Sequence, residues 1–192
     1  MRRKKTDSTI WHVYNRGARR LELFHEEADF RRFLSILEEA VSAAGCLVWA
    51  FCLMGNHYHL ILSATSQQLT ECMKRLNHRY SLYHNAKYGL KGHAFEGPYQ
   101  AHPQRSPFMA AYRVAYVLLN PVVAGLVEQA EDYRWSSGLP YLGAGDGVLR
   151  VDPNPLFQLL GDDPATGKQR FQEIFEYQLQ HPLADESGGS TA

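Results

Sequence analysis

The stretch CLVWAFCLMGNHYHLILS, residues Cys46 to Ser63, decides how this chain is read. Its first half, CLVWAFCLM, is an unbroken apolar run of strand length and reads as a buried strand. Gly55-Asn56 is a two-residue hairpin signal, and HYHLILS reads as the antiparallel partner. Two titratable side chains interrupt that partner. On a strand, residues two apart share a face, so His57 and His59 project together while Tyr58 points the other way. Two neighbouring imidazoles can each give one nitrogen to a divalent ion. Taken alone, such a pair is more often two half-buried histidines bonded to backbone or water. A metal site needs at least one further ligand, and catalysis needs an open position.

Outward from the hairpin, the alternation in TIWHVYN, about residues 9–15, predicts a strand. The basic loop RGARRLELFH follows it. Phe30, Phe33, Leu34, Leu37 and Val41 recur at helical spacing, predicting a helix from about Glu26 to Ala44 with Gly45 as its stop. Leu69, Met73, Leu76, Tyr80 and Tyr83 form the stripe of a second helix, Ser66 to Tyr88, whose other side is polar and partly basic. HAFEGPYQAHP reads as a strand broken by Gly97-Pro98, hence an edge or a bulge. SPFMAAYRVAYVLLN is a third helix, with Ser106 as N-cap, Pro107 at its first position and Pro121 expected to end it. Beyond Ala130 come glycines, DPNPLFQLLG, a last helix near Pro164 to Gln180, and an acidic tail expected to be disordered. The order of elements predicts an α+β fold: a ferredoxin-like antiparallel sheet with helices on one face, plus the added third helix. One domain over residues 1–143 and a C-terminal helical extension with its acidic tail over 144–192 are expected.

With 192 residues, 45% of them apolar, the chain can bury a full core. Cys46, Cys52 and Cys72 are odd in number and show no CxxC spacing, which argues for reduced thiols in a cytosolic protein. The N-terminus is basic but lacks the apolar core of a secretory signal, and no apolar run is long enough to span a bilayer. The net charge of zero conceals an asymmetry: +7 over residues 1–120 and −7 over 121–192. Such a split suggests a polyanion-binding body and an acidic tail, although a solvated basic surface gives the same count. Arg2, Arg3, Lys4, Lys5, Arg16, Arg19 and Arg20 are concentrated in the first twenty residues. His78, His84, His93 and His102 are expected on the surface, where a polyanion could reach them, and not as metal ligands.

The third helix offers partners for the histidine pair. Tyr112, Tyr116 and Asn120 are spaced i, i+4, i+8 and lie along one side. A tyrosine hydroxyl is a possible nucleophile, and an asparagine carbonyl oxygen a possible ligand for a hard metal. Taken alone, the helix reads better as ordinary amphipathic packing with Asn120 as a cap before Pro121.

Three blocks, CLMGNHYHLIL, GHAFEGPYQA and AYVLLNPVVAGLV, together resemble the single-tyrosine HUH transposases, and among them the REP-associated tyrosine transposases. WHVYNRGARRLELF, LNHRYSLYHNAKYG and DYRWSSGLPYLG extend the resemblance, in order, over about residues 8–143. The resemblance implies that His57 and His59 are the HUH histidines, Tyr116 the nucleophile and Asn120 a third, weaker ligand. It implies Mg²⁺ or Mn²⁺ as cofactor and cleavage of single-stranded DNA through a 5′-phosphotyrosine, with transposition as the outcome. The partner it implies is single-stranded DNA carrying a hairpin, bound in the bacterial cytoplasm by a monomer. Tyr112, one turn from Tyr116, is then expected to pack or to touch DNA. Where the family's pattern carries basic residues, this chain has Pro98, Gln100, Ala115 and Val123, which weakens the expected hold on phosphates. A hairpin is then expected to lean on residues 1–20 and on Lys74, Arg75, Arg79, Lys87 and Lys91. A domesticated hairpin-binding protein with little cleavage activity is the alternative. An unrelated metal hydrolase finds no supporting acidic pair or zinc-type cluster.

Overall fold

The computed structural model describes residues 9–183. Arg2, Arg3, Lys4 and Lys5, like the acidic end with Asp185 and Glu186, lie outside the described residues. Strands β1 (Thr9–Arg16), β2 (Leu47–Met54), β3 (His57–Ala64) and β4 (Gln100–Gln104) form one sheet in the order β2-β3-β1-β4, antiparallel throughout. Helices α1 (Glu27–Ala44) and α2 (Ser66–Tyr88) supply the crossovers, which makes this the expected ferredoxin-like arrangement.

Both crossover helices cover the face carrying Tyr58. Its ring meets Phe33 of α1 at 4.9 Å, and its hydroxyl donates to Asn77 of α2 at 2.8 Å. Gly45 ends α1 in the left-handed conformation, φ 70°, which a side chain would strain. Helix α2 starts on a reciprocal cap between Thr65 and Gln68. A saturated polar cluster ties the two helices together. Asp29, fully buried, accepts from Lys87 Nζ at 2.5 Å, Tyr88 Oη at 2.6 Å, Tyr83 Oη at 2.8 Å and the His25 amide at 2.9 Å. Burial alone would raise that carboxyl. The hydrogen bonds outweigh it and hold the group well below the usual carboxylate range.

Helix α3 (Pro107–Val123) crosses the other face of the sheet, starting from the Ser106 cap. Its Tyr116 ring lies against His12 of β1 and His59 of β3. Alternation along the strands sets these residues opposite Val13 and Tyr58. Pro121 does not end this helix, contrary to expectation. Asn120 and Pro121 are buried, and the turn closes beyond them through Ala124 N–H to Asn120 O at 3.0 Å and Leu126 N–H to Pro121 O at 2.9 Å. Packing therefore holds Asn120 helical despite the bias a following proline imposes.

The later segments close the structure. Residues 133–137 shield the β2 edge, with Leu53 N–H donating to Trp135 O at 2.9 Å and Ser137 N–H to Phe51 O at 3.0 Å. On the opposite edge β4 carries Pro103, whose missing N–H an edge tolerates. After the short α4 (Gly138–Leu142), helices α5 (Asn154–Leu160) and α6 (Pro164–Gln180) pack on α3, and Phe157, Leu160 and Phe171 join the same apolar core. Gly167 lets the two last helices meet, since a Cβ there would fall 1.8 Å from the Phe157 carbonyl oxygen. The three cysteines are buried free thiols. Among the described residues no helix is long and apolar enough to cross a membrane.

Candidate active site

Strand register assembles the site. In the β1–β3 ladder Tyr14 stands opposite His59 and Arg16 opposite His57, so His12 is a diagonal neighbour of His59 on the same face. His59 is fully buried at the centre of four rings. His57 lies at 5.1 Å, edge-on; His12 at 5.2 Å, nearly coplanar; Tyr116 at 5.6 Å, edge-on; Tyr14 at 5.7 Å, tilted. The sequence places Tyr116 57 residues after His59, and the structure brings it to one patch with His57 and His59.

Hydrogen bonds fix the imidazoles. His57 Nδ1 donates to Asn56 Oδ1 at 2.7 Å, and Asn56 is itself oriented by Nδ2 donating to Arg20 O at 3.3 Å. His59 Nδ1 and His12 Nε2 are 3.0 Å apart. Two buried ring nitrogens, His59 Nε2 and His12 Nδ1, have no hydrogen-bond partner. Burial, aided by the positive fields of His12, His57, Arg113 and Arg16, pushes His59 far below the ordinary histidine range. Burial, Arg113 and His102 push His12 down to about 3. Both rings are therefore neutral at neutral pH, each with one protonated nitrogen and one lone pair.

Tyr116 is 5% exposed, and the Arg113 guanidinium carbon stands 5.2 Å from its ring centroid. Asn120, one turn on, donates Nδ2 to the Tyr116 carbonyl at 2.8 Å, which leaves its Oδ1 as the atom a metal would use. Tyr116 and Asn120 also line a cavity of about 20 Å³ that Gln178, Pro182 and Leu183 close from the C-terminal side. Tyr112 departs from this patch. Its ring lies 6.1 Å from Phe108, beside Met109 and Gln104, and its carbonyl accepts from Gln178 Nε2 at 2.9 Å.

The cations divide into two groups. Arg16 ends β1 beside His57, and exposed Arg19 and Arg20 follow in a turn with φ of 56° and 61°. That turn is held to the histidine hairpin by Gly17 N–H donating to Asn56 O at 2.8 Å. Lys74, Arg75 and Arg79 lie on α2, across the sheet from the histidines. Lys74 borders a cleft of about 700 Å³ with Asn77, His78 and His93. Arg79 pairs with Glu39. Lys87, expected to be available to DNA, is instead committed to Glu26 and Asp29. His84, expected on the surface, is buried, because it lies one turn beyond Tyr80 on the inner face of α2 against Tyr88.

Sequence reasoning missed His12, Asn56 and Arg113. The alternation of TIWHVYN does place His12 opposite Val13. Nothing in the sequence reveals the register that brings it to His59, 47 residues away.

Comparison with known proteins narrows the reading. The model of the IS200-like transposase family matches residues 5–105, a stretch that contains His57 and His59 and stops short of Tyr116. The fold is similar to the structure of a REP-associated tyrosine transposase bound to a REP hairpin, with a TM-score of 0.53 and 20% identity over 71% of this chain and 81% of that one. A second structure, described as a transposase from Deinococcus radiodurans, gives a TM-score of 0.43 at 19% identity, covering 53% of this chain and 83% of that one. No curated protein matches the sequence. The family model spans more than half of the residues, and the chain belongs to the IS200-like transposase family.

Proposed function

We propose that this transposase cleaves and rejoins single-stranded DNA through Tyr116, with a divalent metal held by His57, His59 and Asn120. The observation that carries the reading is the buried His59, whose Nε2 has no protein partner and whose ring lies against Tyr116. A buried nitrogen left unsatisfied costs stability, and a catalytic role or a bound ion is one reason a fold retains it. The donor set suits the group: two neutral imidazoles and one amide oxygen leave positions open for phosphate oxygen and water, which fits Mg²⁺ or Mn²⁺. When bound, the metal would offset the negative charge that grows on the phosphate during in-line attack.

The chain's own residues supply the rest. Tyr116 Oη forms a bond to phosphorus as the P–O3′ bond breaks. The phenol loses its proton, and the departing 3′ oxygen gains one. The 5′-phosphotyrosine keeps the phosphodiester energy, so attack by a 3′-OH reverses the step without ATP. Arg113 sets a cation over the Tyr116 ring, beside the phosphate that the tyrosine would attack. Arg16, Arg19 and Arg20 lie at the His57 end of the site and give the strand's phosphates a path to it. A hairpin-bearing strand is the proposed substrate, in line with the REP hairpin bound by the similar structure. Every group of the site comes from one chain, which fits a monomer. The absence of cations at Pro98, Gln100, Ala115 and Val123 favours the second reading, a hairpin-binding protein with little turnover.

The test is incubation with hairpin-bearing single strands and Mg²⁺, followed by denaturing electrophoresis. A covalent protein–DNA adduct in the wild type that is lost in Tyr116→Phe, with binding retained, supports cleavage. Tight binding with no adduct on any such strand supports the binding protein instead.

A further inference from the structure

His12 and His59 meet in an unusual way. Their ring planes differ by only 16°, and the centroids are 5.2 Å apart across a nitrogen–nitrogen distance of 3.0 Å. That separation is what two imidazoles laid end to end give, so the two nitrogens point straight at one another. One proton must sit between them, since two lone pairs or two N–H groups facing each other would repel. No metal can use both nitrogens, because their lone-pair directions converge on each other. Among the described residues no group of three or more His, Cys, Asp or Glu side chains is placed to hold a metal ion, and His12 commits its Nε2 to His59.

We propose that His12 is a positioning residue: its Nε2 accepts the His59 Nδ1 proton and thereby keeps the His59 Nε2 lone pair free for the metal. The inference rests on the proposed role of His59 as a ligand. With the proton on His59 Nδ1, Nε2 is unprotonated and ligates. With the proton moved to His12 Nε2, His59 Nδ1 accepts and its second proton site is Nε2, which closes the metal position. Protons balance on the His12 side too: accepting at Nε2 puts its own proton on Nδ1, the atom that has no partner. Asn56 serves His57 in the same way, since an amide oxygen at 2.7 Å from Nδ1 can only accept. The two histidines thus receive the same instruction from different sources, one from the turn before β3 and one from the neighbouring strand.

Two measurements test this together. The first is the imidazole ¹⁵N spectrum of metal-free protein, which reads the tautomer directly. His59 should carry its proton on Nδ1 in the wild type and in His12→Gln, whose side-chain oxygen accepts in place of Nε2. It should shift toward the Nε2–H form in His12→Phe. The second is Mn²⁺ binding followed by calorimetry on the same three proteins with melting temperatures recorded. His12→Phe should weaken Mn²⁺ by about 10- to 100-fold and His12→Gln should restore most of it, with the melting temperatures showing that all three proteins are folded during the titration. A wild-type His59 protonated on Nε2, or equal Mn²⁺ affinity in all three proteins, overturns the role of His12. A wild type with the Nδ1–H tautomer that binds no Mn²⁺ leaves the hydrogen-bond assignment standing and overturns the metal reading of the site.

Discussion

Two buried polar clusters lie on opposite faces of one sheet and are built on opposite principles. On the α1–α2 face, Asp29 is surrounded by donors from Lys87, Tyr83, Tyr88 and the backbone of His25 and Glu26. On the α3 face, His12 and His59 share one hydrogen bond and leave two buried nitrogens with none. The saturated cluster fixes two helices and has no capacity left for a ligand. The unsaturated one sits where a tyrosine, a guanidinium and a second histidine converge. The difference separates a polar group whose hydrogen bonds are all met within the fold from one that keeps a lone pair for the proposed chemistry.

The comparison breaks most sharply at His59. His59→Gln should lower cleavage by on the order of a thousandfold, since the metal's contribution is worth several kcal/mol. Its melting temperature should fall by much less than cleavage does, because the glutamine amide can keep a hydrogen bond to His12 Nε2, and a single hydrogen bond is worth about 1 kcal/mol. A rate assay paired with a melting curve checks both halves. Asp29→Ala should do the reverse. It should cost about 2–3 kcal/mol in denaturant unfolding, because several charge-assisted hydrogen bonds are lost while Lys87 is partly exposed and retains Glu26. Cleavage by the folded fraction should persist.

The same carboxylate sets a pH dependence. Its folded-state pKa is depressed, so the unfolded chain binds the proton more readily. The stabilisation is therefore complete above the unfolded value of about 3.9 and is lost as pH falls through the lower folded value. Unfolding curves from about pH 6 to about pH 2 should fall less steeply for Asp29→Asn than for the wild type. A smaller effect is expected at Gln178, buried and bonded to the Tyr112 carbonyl, where replacement by alanine should cost about 1 kcal/mol by loosening α6 from the tyrosine helix. The smallest belongs to Arg79, whose partly exposed pairing with Glu39 should be worth less than about 1 kcal/mol in a double-mutant cycle.

Much of this was legible in local sequence. The Cys46–Ser63 hairpin, the helices at 27–44 and 66–88, and the Ser106 cap follow from periodicity and end signals whose causes lie within a few residues. Pro121 misled because the local rule against a helical residue before proline lost to tertiary burial of Asn120. His84 misled because it was judged by its residue type, although its i+4 spacing from Tyr80 already placed it inward. His57 and His59 could be paired from strand alternation alone. His12 could not, since its role depends on a register between strands separated by a helix and another strand. The same limit applies to Arg113, which gains meaning only once α3 is laid across the sheet. Local rules find the proposed ligands, and strand register and helix docking find the residues packed against them.

The central claim is that Tyr116, not its neighbour Tyr112, joins to DNA. Trapping the covalent species on a hairpin-bearing single strand with Mn²⁺, digesting both components and locating the nucleotide-modified peptide by mass spectrometry tests it directly. The account predicts the modification on Tyr116, the ring against His59, and none on Tyr112 beside Phe108. Modification of Tyr112, or an adduct that persists in Tyr116→Phe, would contradict it.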